Sequence, residues 1–308
     1  MQTLPGKRIA LLSVSLVLSA CGGGGGGTPP SPTPVTTTDF TKWSDGVANK
    51  TIKAVGEGSQ VSGAVSGGNI VSIVGPVDTT ATALFTFDAN SNLTQLALTS
   101  TSKTSPTSTT AVLFAGGEIS ALSADADFVK AISGASQALI SKPNSSAWDY
   151  QSFGVWETPG GAGLLFNTMS LGAPTAGAAI PGNGTANSNF TGKVIGSYLN
   201  ADGLGHTVLA NLAVTADWSA QSLALTTLGT RTSPDGGSFT NNDNLNLSGT
   251  LSYTAGTNGF SGTLTSTSGL TGSSAGQFYG PAAQELGGVF SLKGSGVETY
   301  SGAYGAKQ

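Results

Sequence analysis

The segment Gly276–Phe290 reads GQFYGPAAQELGGVF and carries the clearest structural signal in the chain. Its aromatic start is typical of a strand, and Gly280-Pro281 ends that strand because proline has no N–H to donate to a sheet. Ala282–Leu286 is long enough for one helical turn, after which Gly287-Gly288 lets the chain enter a second strand. The segment therefore predicts two strands joined by a one-turn excursion.

Glu285 is the one charged residue of this segment. A direct contact with a ligand is one possible role for it. The other interpretation is that its carboxylate accepts backbone N–H groups and fixes the excursion, since buried polar groups need hydrogen-bond partners. We favour the second interpretation, in which the segment identifies a fold and does not mark a binding site.

The sequence around this segment alternates between apolar and other residues. An apolar residue occupies every second position from Val208 to Trp218, and Leu245–Tyr253 and Phe260–Leu264 repeat the spacing. A period of two indicates strands that bury one face. Turn sequences such as Gly256-Thr257-Asn258-Gly259 separate the runs. About eight strands fit between residues 188 and 304, and eight antiparallel strands can close into a barrel without exposed edges.

The segment Gly276–Phe290 also resembles the signature of the transferrin-binding protein B family of surface lipoproteins, which is roughly Gly-x-Phe-Tyr-Gly-Pro-x-Ala-x-Glu-x-Gly-Gly-x-Phe. The residues that match it are Gly276, Phe278, Tyr279, Gly280, Pro281, Ala283, Glu285, Gly287, Gly288 and Phe290. The final run Gly302–Ala306 is similar to the family's last strand. The resemblance is strong from Ser188 to the end of the chain.

The resemblance implies a mainly β, one-lobe protein in which a smaller β-rich handle domain precedes an eight-stranded antiparallel barrel. We expect the handle in residues 37–181 and the barrel in residues 182–308. It also implies lipid anchoring, display on the outer face of the outer membrane, and export by a surface lipoprotein translocon. Members of the family capture host iron-carrier proteins or haem.

Within the expected handle the pattern is mixed. Apolar residues recur every three or four positions between Glu118 and Ile132, which predicts one short amphipathic helix. Thr99–Thr110 is rich in serine and threonine and is expected to form a loop. Short strands are expected at residues 69–77, 82–87, 93–98, 149–156 and 163–171.

The N-terminus has the layout of an export signal. Two basic residues precede an apolar stretch, residues 9–18, that is too short to span a bilayer. It ends in Leu18-Ser19-Ala20-Cys21, which resembles a bacterial lipobox. Residues 1–20 are therefore expected to be a lipoprotein signal peptide and Cys21 the anchor that carries palmitate. The alternative is an ordinary secretory signal that leaves Cys21 as a free thiol.

Residues 21–36 have the composition of a tether. Gly22–Gly27 is a flexible oligoglycine run, and the proline-rich stretch Thr28–Pro34 that follows is a stiffer spacer. Such a tether would hold a folded domain away from a membrane. Gly22 stands where an aspartate would retain a lipoprotein in the inner membrane, so the resemblance to lipoproteins implies the outer membrane.

The composition excludes several classes of protein. Only 9% of the residues are charged, and 12 Lys and Arg stand against 16 Asp and Glu, so nothing suggests a nucleic-acid partner. The single cysteine excludes an intrachain disulfide framework and a thiolate metal site. We expect no metal site.

The residues give little support to an enzyme. His206 is the only histidine, so any Ser-His-Asp triad would have to use it, and its place beside glycines at a strand start is typical of a solvated loop residue. Haem ligation by His206 would need a second ligand such as Tyr198 or Met169. We expect a non-catalytic protein without a resident cofactor.

The expected function is that of an outer-membrane lipoprotein that binds a host protein or a small solute such as an iron or haem source. The alternative is a structural or adhesive envelope lipoprotein without a discrete ligand. A membrane-spanning barrel is disfavoured because outward positions such as Thr263 and Thr265 are polar. The contact could be made by Thr99–Thr110, by Pro143–Ser146 or by the rim of the barrel.

Overall fold

The computed structural model describes residues 36–161, 163–234 and 236–308, which form nineteen strands and four short 3-10 turns. The expected signal peptide, Cys21 and all but the last residue of the expected tether lie outside the described residues. The described residues all belong to one compact unit. Their strands form two sheets, named here the first sheet and the barrel.

The first sheet has ten strands and is therefore not the smaller of the two. Eight of its neighbouring pairs are antiparallel, in the order β5-β4-β3-β2-β10-β9-β8-β7-β6, while β1 lies parallel to β2. The strands are β1 (Thr36–Asp39), β2 (Lys50–Ser66), β3 (Asn69–Phe87), β4 (Leu93–Ser102), β5 (Thr109–Ala115), β6 (Ile119–Ala121), β7 (Phe128–Ser133), β8 (Ser136–Ser141), β9 (Gln151–Gly160) and β10 (Gly163–Gly172).

One face of the first sheet encloses its own apolar core. Trp43 lies on a 3-10 turn and packs edge-on against Phe85, with ring centroids 5.2 Å apart. Phe114, Trp156 and Leu171 belong to the same buried cluster. The other face of β8, β9 and β10 turns toward the barrel, because successive residues of a strand point to opposite sides.

The barrel consists of eight long strands and one short one. Its order is β12-β11-β19-β18-β17-β16-β15-β13, and the β12–β13 pairing closes the ring, so the predicted eight-stranded antiparallel barrel is confirmed. The strands are β11 (Ser188–Leu199), β12 (Gly205–Asp217), β13 (Ser222–Ser233), β14 (Thr240–Asn241), β15 (Leu247–Tyr253), β16 (Gly259–Ser266), β17 (Thr271–Tyr279), β18 (Glu285–Lys293) and β19 (Thr299–Lys307).

Side chains fill the interior of the barrel. The alternate residues of β12 predicted to face inward, from Val208 to Trp218, are all buried there. Phe278 lies among Trp218, Tyr253 and Phe260, with ring centroids 5.3 to 5.5 Å away. Eight strands leave just enough room for such a packed core.

The predicted helix between Glu118 and Ile132 is wrong. A 3-10 turn at Gly116–Glu118 leads into β6, and β7 follows after a loop that Leu122 closes by donating its N–H to the Phe128 carbonyl at 3.0 Å. A helical stripe would have buried Ile132, which is 46% exposed. The three-residue spacing arises because two short strands flank a turn.

Two other predictions about the first sheet need correction. Residues 69–77 and 82–87 are parts of the single strand β3, and much of the predicted loop Thr99–Thr110 belongs to β4 and β5. The serine- and threonine-rich sequence pairs across these strands, as in the 3.2 Å contact between the hydroxyls of Thr101 and Thr109. Threonine is a good strand former, and its hydroxyl finds a cross-strand partner there.

The excursion in Gly276–Phe290 is a turn without a helix. β17 ends at Tyr279 and β18 already begins at Glu285, so Gly287 and Gly288 lie inside a strand and do not precede it. A Cβ on Gly287 would lie 2.3 Å from Oε1 of Gln151 in the first sheet. The first sheet approaches the barrel closely there, and glycine leaves room for the side chains of Gln151 and Ser170.

Candidate binding site between the two sheets

The outer wall of the barrel is covered by the first sheet over part of its surface. A third apolar cluster joins the two sheets and is buried. Its members are Leu122, Phe128, Leu139, Trp148, Phe153 and Val155 from the first-sheet side and Ile195, Leu209, Val289 and Ala303 from the barrel. Burial of this apolar area stabilises the contact, and the two sheets share one interface, named here the junction.

One end of the junction is sealed by Glu285. Its carboxylate accepts the N–H of Asp149 at 2.7 Å and the N–H of Tyr150 at 3.1 Å, just before β9 begins. Glu285 is 3% exposed, and this burial raises its pKa, while the two backbone hydrogen bonds oppose the rise. We name Glu285, Asp149 and Tyr150 the clamp.

Other residues of the signature segment reinforce the sealed end. The hydroxyls of Tyr279 and Ser170 lie 2.9 Å apart, and Thr175 donates to the carbonyl of Gly280 at 2.6 Å. Phe278 and Phe290 point instead into the barrel core.

The remaining signature residues have simpler positions. Gly276 and Gly288 are cross-strand partners in the barrel wall, and Pro281 is exposed in the turn. The segment thus shapes the barrel and docks it onto the first sheet.

Further along the junction the apolar rows give way to polar ones. The cross-strand row of the first sheet consists of Gln137, Glu157, Phe166 and Val61. The facing row of the barrel consists of Thr207, Ser197 and Ser301. These seven residues line adjoining cavities, the largest of about 240 Å³. Serine and threonine are too short to fill the space beneath the first sheet, and we name the resulting space the slot.

Glu157 is the acidic residue among the described residues that line the slot. Its carboxylate accepts one hydrogen bond, from Nε2 of Gln137 at 2.5 Å. Burial raises its pKa, and the bond from Gln137 acts in the opposite direction. Among the described residues no Lys or Arg forms a salt bridge with it. A partly buried carboxylate with a single neutral partner is incompletely compensated for its lost hydration.

The mouth of the slot is formed by the tip of the β2–β3 hairpin and the turn before β12. Ile70 donates its N–H to the carbonyl of Gly203 at 3.0 Å, and Asn69 donates to the carbonyl of Asp202 at 3.2 Å. Gly203 has a φ of 80°, and a Cβ there would lie 2.2 Å from the Ile70 carbonyl. Apolar side chains surround the opening: Val65, Ile70, Leu164, Leu204 and Pro234.

His206 also lines this opening. It is the cross-strand partner of Tyr198, and their ring centroids are 6.1 Å apart. The Tyr198 hydroxyl donates to Glu298 at 2.6 Å, and burial, followed by that carboxylate, raises the pKa of Tyr198. A phenol held in its protonated form is a poor haem ligand.

Met169 is 1% exposed in the core of the first sheet and does not reach His206. The residues considered as haem ligands therefore do not form a fitting pair. Within the described ranges, no group of His, Cys, Asp and Glu side chains is arranged to hold a metal ion.

The slot was not predicted from the sequence, although a signal for it exists. Ser197 and Thr207 occupy outward positions of the barrel, where polar residues suggest contact with water. Two neighbouring outward positions hold Ile195 and Leu209, which are both buried. Large apolar residues on the polar face of a strand indicate that another element covers it, and the serines beside them then lie under that cover.

Residues 180–308 match the family model described as the C-lobe and N-lobe β-barrels of transferrin-binding protein B. Among curated protein sequences none matches the chain significantly. None of the helical segments in residues 36–161, 163–234 and 236–308 has the length and apolar character to cross a bilayer.

Several solved structures are similar to this chain at low identity. A mutant of transferrin-binding protein B from Haemophilus parasuis Hp5 is 15% identical, with a TM-score of 0.44 over 75% of this chain and 54% of that one. The protein from serogroup B Neisseria meningitidis is 18% identical, with a TM-score of 0.41 over 75% and 53%. The chain thus spans about half the length of these two relatives.

A mutant of the protein from Actinobacillus pleuropneumoniae H49 is 13% identical, with a TM-score of 0.42 over 83% of this chain and 98% of that one.

Proposed function

We propose that this chain, whose residues 180–308 form a barrel of the transferrin-binding protein B type, is a non-enzymatic lipoprotein that binds a host protein or a small solute such as an iron or haem source. Proteins with this barrel are binding proteins and not enzymes. The structures similar to this chain bear names that specify transferrin binding, which makes an iron carrier the first ligand to test.

The protein would be anchored to the outer membrane and would face the exterior of the cell. Cys21 would carry the lipid, and residues 21–36 would form the tether between the lipid and β1. A surface lipoprotein translocon would deliver it there.

One observation carries the binding role. The clamp closes one end of the junction, whereas the other end opens into the slot, with its incompletely compensated Glu157. Ligand sites are concave, mostly apolar and equipped with a few polar groups, and the slot has this composition. The loops at residues 103–108 and 143–146 would offer further contacts to a partner as large as a protein.

Display and anchoring are tested on intact cells. Wild-type protein should incorporate radioactive palmitate and should be cleaved by protease added outside the cells. Cys21→Ser should lose the label and leave the membrane fraction. A wild-type protein that resists protease until the cells are lysed would contradict surface display, and unlabelled wild-type protein would contradict anchoring.

Binding is tested with detergent-purified full-length protein on a biosensor. Holo-transferrin, haemoglobin and free haem are passed over it in turn, with a lipid-only surface as the blank. Saturable, stoichiometric binding of one of them is expected. Absence of binding to all three would remove the iron and haem sources from the proposal.

The adhesive alternative has one observation in its favour. Val71 and Val74 of β3 are 56% and 67% exposed, and no strand in the described residues pairs with the outer edge of residues 69–77. An exposed apolar edge strand is a natural place for another chain to attach. If adhesion is the function, Val74→Lys should abolish clumping of cells that display the protein without altering the folding of the first sheet.

A further inference from the structure

Glu157 stands apart from other acids near the junction. Asp125 pairs with Lys193 at 3.0 Å, and Glu285 receives two backbone N–H groups. Among the described residues, Glu157 receives only the amide of Gln137, although it borders two of the cavities of the slot. A carboxylate in such surroundings gains free energy when a cation joins it.

The surroundings of Glu157 favour a cation that has an apolar part. Beside the carboxylate, the hydroxyls of Ser197 and Thr207 offer acceptors for further N–H groups. Phe166 of β10 is the cross-strand partner of Glu157 in β9. The apolar side chains of the mouth lie next to Phe166. The ring face of Phe166 would also attract a positive group.

We propose that the slot binds a small organic cation, with an ammonium or guanidinium head at Glu157 and a short apolar stem that points toward the mouth. This inference rests on the proposed binding function and names the chemical class of ligand at that site. The stem would contact Phe166 and Leu164, and the head would replace the missing counter-ion of Glu157.

The size of the slot limits the ligand. A cavity of about 150 Å³ holds a molecule as large as benzene, and the largest cavity of the slot measures about 240 Å³. Roughly six to ten non-hydrogen atoms therefore fit. A linear amine of six carbons lies within this range, whereas a protein side chain could enter only from a partner seated at the mouth.

The charges around the slot do not suit an anion. Neither lysine nor arginine is among the described residues that line the cavities, and the one other titratable side chain there is His206 at the mouth. Lys130 ends beside Gly236, outside the lining. A carboxylate ligand would be placed next to Glu157, and no lysine or arginine among the described lining residues would offset the repulsion.

The test compares three probes of one shape on the full-length lipoprotein in detergent: hexylamine, 1-hexanol and hexanoate. Isothermal titration measures the dissociation constants at pH 7. We expect hexylamine to bind at least tenfold more tightly than 1-hexanol, and hexanoate most weakly. In Glu157→Gln the amine should lose this tenfold advantage, while binding of the alcohol stays unchanged.

A second variant checks the location. Ser197→Leu fills the slot and should abolish binding of both hexylamine and 1-hexanol. Ser248→Leu, on the exposed outer face of β15, is the matched control and should bind as the wild type does.

Equal affinities of the wild type for the amine and the alcohol would overturn the cation inference. If no probe binds while transferrin, haemoglobin or haem does, the inference fails and the proposed function stands. If neither assay detects a ligand, both the cation inference and the proposed function fail.

Discussion

Glu285 and Glu157 are two acids at opposite ends of the same junction, and burial raises the pKa of each. They differ in what surrounds them. Glu285 accepts two backbone N–H groups from the residues just before β9, whereas Glu157 has one neutral side-chain partner in the described part of the chain and an adjoining cavity. The partners of Glu285 are those of a structural residue. The surroundings of Glu157 leave its carboxylate able to bind a ligand.

The difference shows how one interface can be tightly packed at one end and leave a cavity at the other. Where the barrel wall carries glycine, as at Gly287, the first sheet approaches closely and polar groups meet directly. Where the wall carries serine and threonine under a longer side chain such as Phe166, the sheets contact incompletely and leave the slot. Rigidity at the clamp would keep the slot preformed, which reduces the entropic cost of binding.

The largest expected effect concerns the clamp. Glu285→Ala leaves the N–H groups of Asp149 and Tyr150 buried without an acceptor, so the free energy of unfolding should fall by about 3 kcal/mol. Urea denaturation followed by circular dichroism measures it. Glu157→Ala is the comparison and should cost less than about 1 kcal/mol. Equal losses in the two variants would show that the two acids do not differ in role.

The next effect is expected at the mouth of the slot. Gly203→Ala forces a Cβ into a φ of 80° and to within 2.2 Å of the Ile70 carbonyl, so the hairpin should detach locally at a cost of about 2 kcal/mol. Hydrogen exchange should become faster at the amide of Ile70. Gly205→Ala is the matched control, because its Cβ would meet no atom within 4 Å. Unchanged exchange at Ile70 would mean that the contact does not hold the hairpin.

A smaller effect on stability distinguishes a buried tyrosine hydroxyl that has hydrogen-bond partners from one that has none among the described residues. Tyr279→Phe removes a buried hydroxyl that contacts Ser170 and Gln277, and should cost about 1 to 2 kcal/mol. Tyr300→Phe removes a buried hydroxyl that has no partner in the described residues, and should be neutral or stabilising. Both changes leave the ring in place, so thermal unfolding compares them directly. A larger loss in Tyr300→Phe would refute the role of Tyr279 at the sealed end.

The barrel could be predicted from sequence because the patterns that indicate it lie within short stretches of the chain. The alternation in Val208–Trp218 lies within a few residues, and these residues are buried in the barrel as expected. The signature segment forms the two predicted strands, although the turn between them is not helical and Gly287 and Gly288 lie inside β18. The stretch Glu118–Ile132 misled for the same reason: two short strands around a turn produce the spacing of a helix. Periodicity over so few residues does not distinguish the two.

The clamp and the slot depend on contacts between distant parts of the chain. A carboxylate that accepts backbone N–H groups could be anticipated at Glu285, but not that the donors lie 135 and 136 residues away. Likewise nothing next to Glu157 in sequence indicates that Ser197 faces it. Such pairings follow from how two sheets dock, which no single strand pattern encodes.

The smallest effect tests whether Glu157 is an uncompensated acid. Since its pKa in the folded protein lies above the ordinary 4.5, the unfolded chain loses this proton first as the pH rises, and stability falls from about pH 4.5 up to the folded pKa. Below that range both states are protonated. Glu157→Gln keeps an acceptor for Gln137 and cannot ionise, so it should match the wild type at pH 4 and be more stable than the wild type at pH 7. Urea unfolding at both pH values measures the difference in the free energy of unfolding between variant and wild type. The contributions of the other acids are the same in both proteins and cancel. Saturating hexylamine should erase the gap at pH 7, since a bound cation compensates the charge. A variant less stable than the wild type at pH 7 would mean that Glu157, like Glu285, is held by the fold.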